Sequence, residues 1–197
     1  MHPTTIVFDF GNVIGFFDHH RSVTNLTPYT TGTSEKILHA LYHSPVAHDY
    51  ECGRLTTSQF QSWLAKEIKL ECTEQEFVRH YSNIFTRNEE ICDAIPKLAG
   101  KYELVLASNT NDAHFQFFAS DFADVLQYFQ FLGVSHQLGD RKPAEQFFRA
   151  LEEKSNLKRS TSLFVDDLQA NTSVAAKLGY RTVTYEPNGT FMQLIHE

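Results

Sequence analysis

Asp9, Ser108, Lys142, Asp166 and Asp167 are the residues of this sequence whose types and placement could do chemistry together. Asp9 ends the apolar run Ile6-Val7-Phe8. Ser108 ends the run within ELVLA (103–107), and Asp166–Asp167 follow Ser162–Val165. If the three runs are parallel strands, their carboxyl ends share one rim, the edge where open α/β sheets place their sites. Carboxylates gathered there repel one another unless a cation neutralises them, so the group implies a metal ion. An all-oxygen donor set beside an anionic ligand favours Mg²⁺. A hydroxyl, free backbone N–H groups and an ammonium next to that metal make a cradle for a phosphate. Lys142 supplies the ammonium from a loop, with Pro143 expected in the first turn of the following helix.

Taken singly, each residue has a plainer reading; Asp9, for one, could cap the loop after its strand. Their occurrence together and in this order is what is specific. Gly11 is expected to let the backbone turn sharply behind Asp9 and to leave its carbonyl unobstructed, and Asn12 tolerates the same turn.

The elements that must position these residues can be read from apolar spacing. Ile6–Phe8 is uninterrupted, as for a strand covered on both faces. From Phe16 to about Arg87 no clear buried strand is expected, and the apolar residues recur at helical spacing instead. Ser34 is read as the cap of a helix carrying Ile37, Leu38 and Leu41. Thr56 with Gln59, and Thr73 with Glu76, form capping-box pairs ahead of Phe60-Trp63-Leu64-Ile68 and Phe77-Tyr81-Ile84-Phe85. This segment reads as a small all-helical module whose aromatic residues are its own core. From Asn88 onward helices and strands alternate. Helices are expected at Asn88–Gly100, Asp112–Phe118, Ala144–Lys154 and Asn171–Leu178, with strands at Glu103–Ala107, Phe131–Ser135, Ser162–Val165 and Arg181–Thr184. That alternation predicts an α/β fold: a Rossmann-like parallel sheet with helices on both faces.

Composition excludes several classes. At 197 residues, 42% hydrophobic and 21% charged, the chain reads as an ordinary globular protein. Its 24 acidic against 17 basic residues give a net charge of −7, which argues against nucleic acid or an anionic membrane as partner. No apolar run has the ~18–20 residues of a membrane span. The N-terminus has no signal-peptide pattern. Cys52, Cys72 and Cys92 form no CxxC pair and are expected as reduced thiols of a cytoplasmic protein. Oligomeric state is not legible.

The four signatures together resemble those of the haloacid dehalogenase-like (HAD) superfamily: FDFGNVIG the first, LASNT the second, the lysine of GDRKPAEQFF the third and LFVDDLQAN the fourth. The nearest resemblance is to small phosphatases with a DxGNV first motif, among them glucose-1-phosphate phosphatases. The resemblance implies a core domain of residues 1–15 and 88–197, with a helical type-1 cap domain at 16–87. It implies a cytoplasmic Mg²⁺-dependent phosphatase of a small phosphorylated metabolite, a sugar phosphate first and a nucleotide second. By the same resemblance Asp9 is nucleophile and metal ligand, the Gly11 carbonyl and Asp167 complete the protein's metal ligands, and Asp166 acts through a water or by orienting its neighbours. Ser108, the Asn109 N–H and Lys142 hold the phosphate. Asn171 either supports a metal-bound water or is a helix N-cap.

One departure matters. The superfamily's usual general acid, two positions after the nucleophile, is here Gly11. Such a group is typically worth ~10²–10⁴-fold. Three readings follow: a preference for easy leaving groups, a substitute acid, or a weak or retired enzyme that binds a phosphorylated metabolite or a protein partner. Asp18, with the adjoining His19 and His20, is the candidate substitute, against a plainer reading as hinge polars. The missing acid argues against a phosphomutase, and the paired metal-binding acids argue against halide release.

Overall fold

A run of apolar residues without alternation needs cover on both sides, and the computed structural model gives Ile6–Phe8 that position. It describes residues 3–188 and residue 191. The strands are β1 (Thr5–Phe8), β2 (Gly15–Phe17), β3 (Phe85–Arg87), β4 (Glu103–Ser108), β5 (Phe131–Val134), β6 (Ser162–Asp166) and β7 (Arg181–Thr184). Five form one parallel sheet in the order β5-β4-β1-β6-β7, with β1 at the centre. The register pairs Phe8 with both Leu106 and Val165, so Asp9, Ser108 and Asp166 leave the sheet along one edge.

The helices α1 (His19–Leu26), α2 (Ser34–Leu38), α3 (Pro45–Glu51), α4 (Thr57–Glu67) and α5 (Glu74–Ser82) lie between β2 and β3. The helices α6 (Glu89–Ala99), α7 (Asp112–Asp121), α8 (Ala123–Leu126), α9 (Ser135–Leu138), α10 (Glu145–Ser155) and α11 (Gln169–Leu178) accompany the sheet. Side chains alternate across each strand. Ile6, Phe8, Leu104, Leu106 and Val165 face Ile91, Ile95 and Leu98 of α6 and Phe118 of α7. Val7, Val105 and Phe164 face Phe147, Phe148 and Leu151 of α10 and Ala175 of α11. Each large side chain buried in these two layers contributes roughly 1.5–3 kcal/mol. This is the expected parallel sheet covered on both faces.

The segment between the ribbon strands has its own apolar cluster, built on Leu26, Ile37, Leu41, Phe60, Leu64, Phe77 and Tyr81. Both capping boxes form, at Thr56–Gln59 and Thr73–Glu76. Three details differ from the sequence reading. Thr33, not Ser34, caps α2, because its hydroxyl reaches the Lys36 N–H. Pro143 precedes α10 by two residues rather than lying in its first turn. β2 and β3 form an antiparallel ribbon at the base of the insert, so the expected boundary at 16 falls inside β2 while the one at 87 coincides with the end of β3. No helix among the described residues is long and apolar enough to cross a membrane.

Candidate active site

Asp9 leaves β1 with its carboxylate held from two sides. Its Oδ1 accepts from the Phe10 N–H at 2.7 Å and pairs with Lys142 Nζ at 2.8 Å. Phe10 is fixed in turn. Its ring stacks on Phe118 at 3.8 Å, and its carbonyl accepts the N–H groups of Ile14 and Gly15. Lys142 Nζ also meets Asp166 Oδ2 at 2.6 Å, and the lysine side chain is only 1% exposed. Its loop is clasped by Asn109, whose Oδ1 accepts from the Lys142 N–H at 2.7 Å and whose Nδ2 donates to the Lys142 carbonyl at 2.9 Å. The second and third signatures are thus joined by one amide.

Asp166 is completely buried and its oxygens are saturated. Oδ1 accepts from the Leu168 N–H at 2.9 Å, and Asn171 Nδ2 lies 2.9 and 3.1 Å from the two oxygens. Asn171 is therefore not a helix N-cap; Leu168 holds that place and Asn171 orients Asp166. Asp167 is more open, with Oδ2 accepting from Asn12 Nδ2 at 3.0 Å. One oxygen each from Asp9, Asp166 and Asp167 lies within 4.8 Å of the others. Against three carboxylates stands one ammonium, leaving two formal negative charges.

The titration of the group reflects this. Burial raises the Asp9 pKa to about 7, with Asp166 and Asp167 adding to the shift and Lys142 opposing it. Burial also raises Asp167. Burial works against the charge on Lys142, but Asp9 and Asp166 outweigh it and hold its pKa above the ordinary lysine range. The donor chemistry fits a hard divalent cation. Asp9 and Asp167 are the carboxylates with oxygens to spare. Among the described residues no backbone hydrogen bond ends on the Gly11 carbonyl. The Gly11 backbone itself is not left-handed; that conformation belongs to Asn12, at φ 55°. Gly11 is demanded by space instead, since a Cβ there would meet Phe17 Cε1 at 2.9 Å.

Residues 3–179 match the family of haloacid dehalogenase-like hydrolases. The chain belongs to that family. It is 28% identical over 197 residues to the D-ribitol-5-phosphate phosphatase of Bacteroides thetaiotaomicron, covering 95% of this chain and 94% of that one. A predicted HAD-like family hydrolase from Porphyromonas gingivalis shares the fold with a TM-score of 0.86 at 26% identity, covering 100% of both chains. A HAD family enzyme of B. thetaiotaomicron, solved with magnesium and inorganic phosphate, superposes with a TM-score of 0.85 at 21% identity, covering 98% of each chain.

In this hydrolase the carboxylate cluster opens into a cavity of about 200 Å³. That is below the ~300–1,000 Å³ typical of drug-sized ligands and suits a small metabolite. Ser108 and Asn109 line it beside Asp9, Lys142 and Asp167. The structure does not bring Asp18 there. Asp18 is exposed, is not among the lining residues, and its carboxylate caps α1 by accepting from the His20 N–H at 2.9 Å. His20 is exposed as well. His19 does line the cavity, stacked 3.6 Å from the Tyr42 ring, and burial lowers its pKa to about 4, so it is neutral at pH 7. His114 is also buried at the cavity wall and neutral, with its pKa pushed down to about 3 by burial. Glu51, from the end of α3, and Arg141 also line the cavity. Neither was visible in the sequence reading, because 90 residues separate them and neither carries a motif.

Proposed function

We propose that this hydrolase is a Mg²⁺-dependent phosphatase of a small phosphate monoester, a sugar or polyol phosphate, acting through an aspartyl-phosphate on Asp9. One observation carries the reading: a buried Asp9 held by Lys142, with Asp166 and Asp167 beside it, at the mouth of a cavity sized for a metabolite. The relative that hydrolyses D-ribitol 5-phosphate and the neighbour holding magnesium and phosphate support it. Asp9, Asp167 and the Gly11 carbonyl would hold the ion. Bound there, Mg²⁺ would neutralise the carboxylates and polarise the phosphoryl group.

The chain's own groups would do the rest. The Phe10 N–H and Lys142 tether the Asp9 carboxylate at the cavity wall. In the first displacement one Asp9 carboxylate oxygen bonds to phosphorus as the bond to the leaving oxygen breaks. Lys142, the Ser108 hydroxyl and the Asn109 N–H would stabilise the charge on the transferring group. With Gly11 bare and Asp18 turned to α1, the leaving oxygen takes its proton from water. In the second displacement water attacks phosphorus, phosphate departs and the Asp9 carboxylate is restored. A purely binding role is disfavoured, since Asp9, Lys142 and Asp167 stand together at the cavity with Asp9 open to it.

The test is phosphate release from D-ribitol 5-phosphate, pentose and hexose phosphates, nucleoside monophosphates and p-nitrophenyl phosphate, with Mg²⁺ and with EDTA. The expected result is Mg²⁺-dependent release that Asp9→Asn abolishes. Release from none of these by the wild-type protein, or release surviving Asp9→Asn, would overturn the reading.

A further inference from the structure

The end of α3 carries Glu51 into the cavity, and three contacts with the sheet domain fix it there. Ser135 Oγ donates to the Glu51 carbonyl at 2.7 Å. Arg141 Nη1 donates to Glu51 Oε2 at 2.5 Å. Two residues on, Gly53 at φ 69° lies so close to α9 that a Cβ would fall 1.9 Å from the His136 carbonyl oxygen. Only glycine permits that approach. The loop is therefore built to hold one carboxylate against one guanidinium, at the wall of the pocket that contains Asp9.

The pair is neither sealed nor a surface ornament: the Arg141 and Glu51 side chains are 37% and 22% exposed. Among the described residues, Glu51 Oε1 has no hydrogen-bond partner and the Arg141 guanidinium bonds only through Nη1, to Glu51. One free acceptor beside several free donors is the complement of a hydroxyl group, which both gives and takes a hydrogen bond. It is a poor complement for a second anion, because the carboxylate cancels the guanidinium charge. The rings of Phe17, His19 and Tyr42 also line the cavity, with Phe17–His19 centroids 4.8 Å apart and His19–Tyr42 3.6 Å. They offer C–H groups an apolar surface.

We infer that Glu51 and Arg141 are the specificity-determining pair for the leaving group, which they recognise as a neutral polyhydroxylated chain. Glu51 Oε1 accepts from one hydroxyl, and Arg141 donates to a neighbouring one. The assignment rests on the phosphatase reading. Glu51 belongs to the helical insert and Arg141 to the sheet domain, so this recognition is complete only when the two are docked.

The experiment compares kcat/KM for D-ribitol 5-phosphate with that for p-nitrophenyl phosphate, which has no hydroxyl, in wild type, Glu51→Gln and Arg141→Lys. Hydrogen bonds to a charged group are worth ~1.5–3 kcal/mol, so the polyol-to-aryl ratio should fall ~10–100-fold in Glu51→Gln, mainly through KM. Arg141→Lys keeps the charge and loses the planar fork, and it should lower the ratio in the same direction. It decides the matter if Glu51→Gln does not fold. Phosphoglycolate, with an anionic tail, should gain relative to the polyol in Glu51→Gln. An unchanged ratio, or equal loss on both substrates, would show that the pair only docks the insert and would overturn the assignment alone. Absence of release from either substrate by the wild type would instead bring down the phosphatase reading, and this assignment with it.

Discussion

Replacing Asp9 by asparagine should make the metal-free protein more stable, and increasingly so as pH rises. Asparagine keeps the Oδ1 acceptor that the Phe10 N–H and Lys142 use, and Lys142 keeps Asp166 as its ion partner. What disappears is one negative charge from a group that has too many. The Asp9 pKa rises from 3.8 to about 7 on folding. Below 3.8 the carboxyl is protonated in both states and costs nothing. Between the two values the unfolded chain gives up the proton that the folded one keeps, so stability falls as pH rises. Above 7 the full cost is present: three units at 1.36 kcal/mol each, roughly 4 kcal/mol. Near pH 5.5 only about 2 kcal/mol of it has developed. For a chain of this size those figures correspond to a Tm gain of about 10 °C near pH 8 and about half that near pH 5.5. Thermal unfolding of wild type and Asp9→Asn in EDTA at both pH values measures it. Saturating Mg²⁺ should then raise the wild type, by about 2.7 kcal/mol at a hundredfold excess over Kd, and narrow the gap. A variant no more stable than wild type near pH 8, or a gap that does not widen with pH, would refute the claim that these carboxylates lack a neutralising cation.

Asp167→Ala should raise the Mg²⁺ concentration needed for half-maximal activity more than Asp166→Ala does, while Asp166→Ala should lower the Tm more, having stripped Lys142, Asn171 and Leu168 of their acceptor; the opposite pattern on metal titration and melting would reverse the two roles. Gly11→Ala should destabilise by ~1–3 kcal/mol through contact with Phe17, and Phe17→Ala should relieve that cost in the double variant, as denaturant melts would show. Asp18→Ala should cost about 1 kcal/mol as a lost helix cap and leave the dependence of rate on leaving-group pKa unaltered; a steepened dependence across aryl phosphates would return Asp18 to the chemistry.

Much of this was legible in the sequence, and the reason is local. Asp9, Ser108 and Asp166 each end an apolar run, so strand periodicity alone sets them on one rim. The capping boxes at Thr56 and Thr73 need only three residues of context, and both formed. The ribbon was not legible, because three-residue strands such as Gly15–Phe17 are too short to show a period. Helix α1 was hidden for a different reason: His19-His20-Arg21 puts polar residues where the first turn begins, so Asp18 read as a loop acid rather than a cap. Asn109 was read through its backbone N–H, whereas its amide clasps Lys142 from 33 residues away. Gly11 was read as a conformational glycine, and only the fold brings the Phe17 ring against it.

Phe85 carries a mechanical consequence. It is the first residue of β3, where the chain returns from the insert, and its ring meets Phe10 at 5.5 Å and Phe118 at 5.6 Å. Phe10 holds the Asp9 carboxylate. The ribbon is therefore anchored to the turn behind Asp9, and it closes where the Asp18 N–H meets the Ile84 carbonyl. The chain passes between the sheet and α1–α5 at this ribbon, one ring contact away from the residue whose N–H holds Asp9. The Glu51–Arg141 contact and the bond from the Ala113 N–H to the Tyr50 hydroxyl tie the same helices to the sheet side at the cavity. The packing behind Asp9 therefore depends on a ring that the insert supplies, so neither part holds that carboxylate by itself.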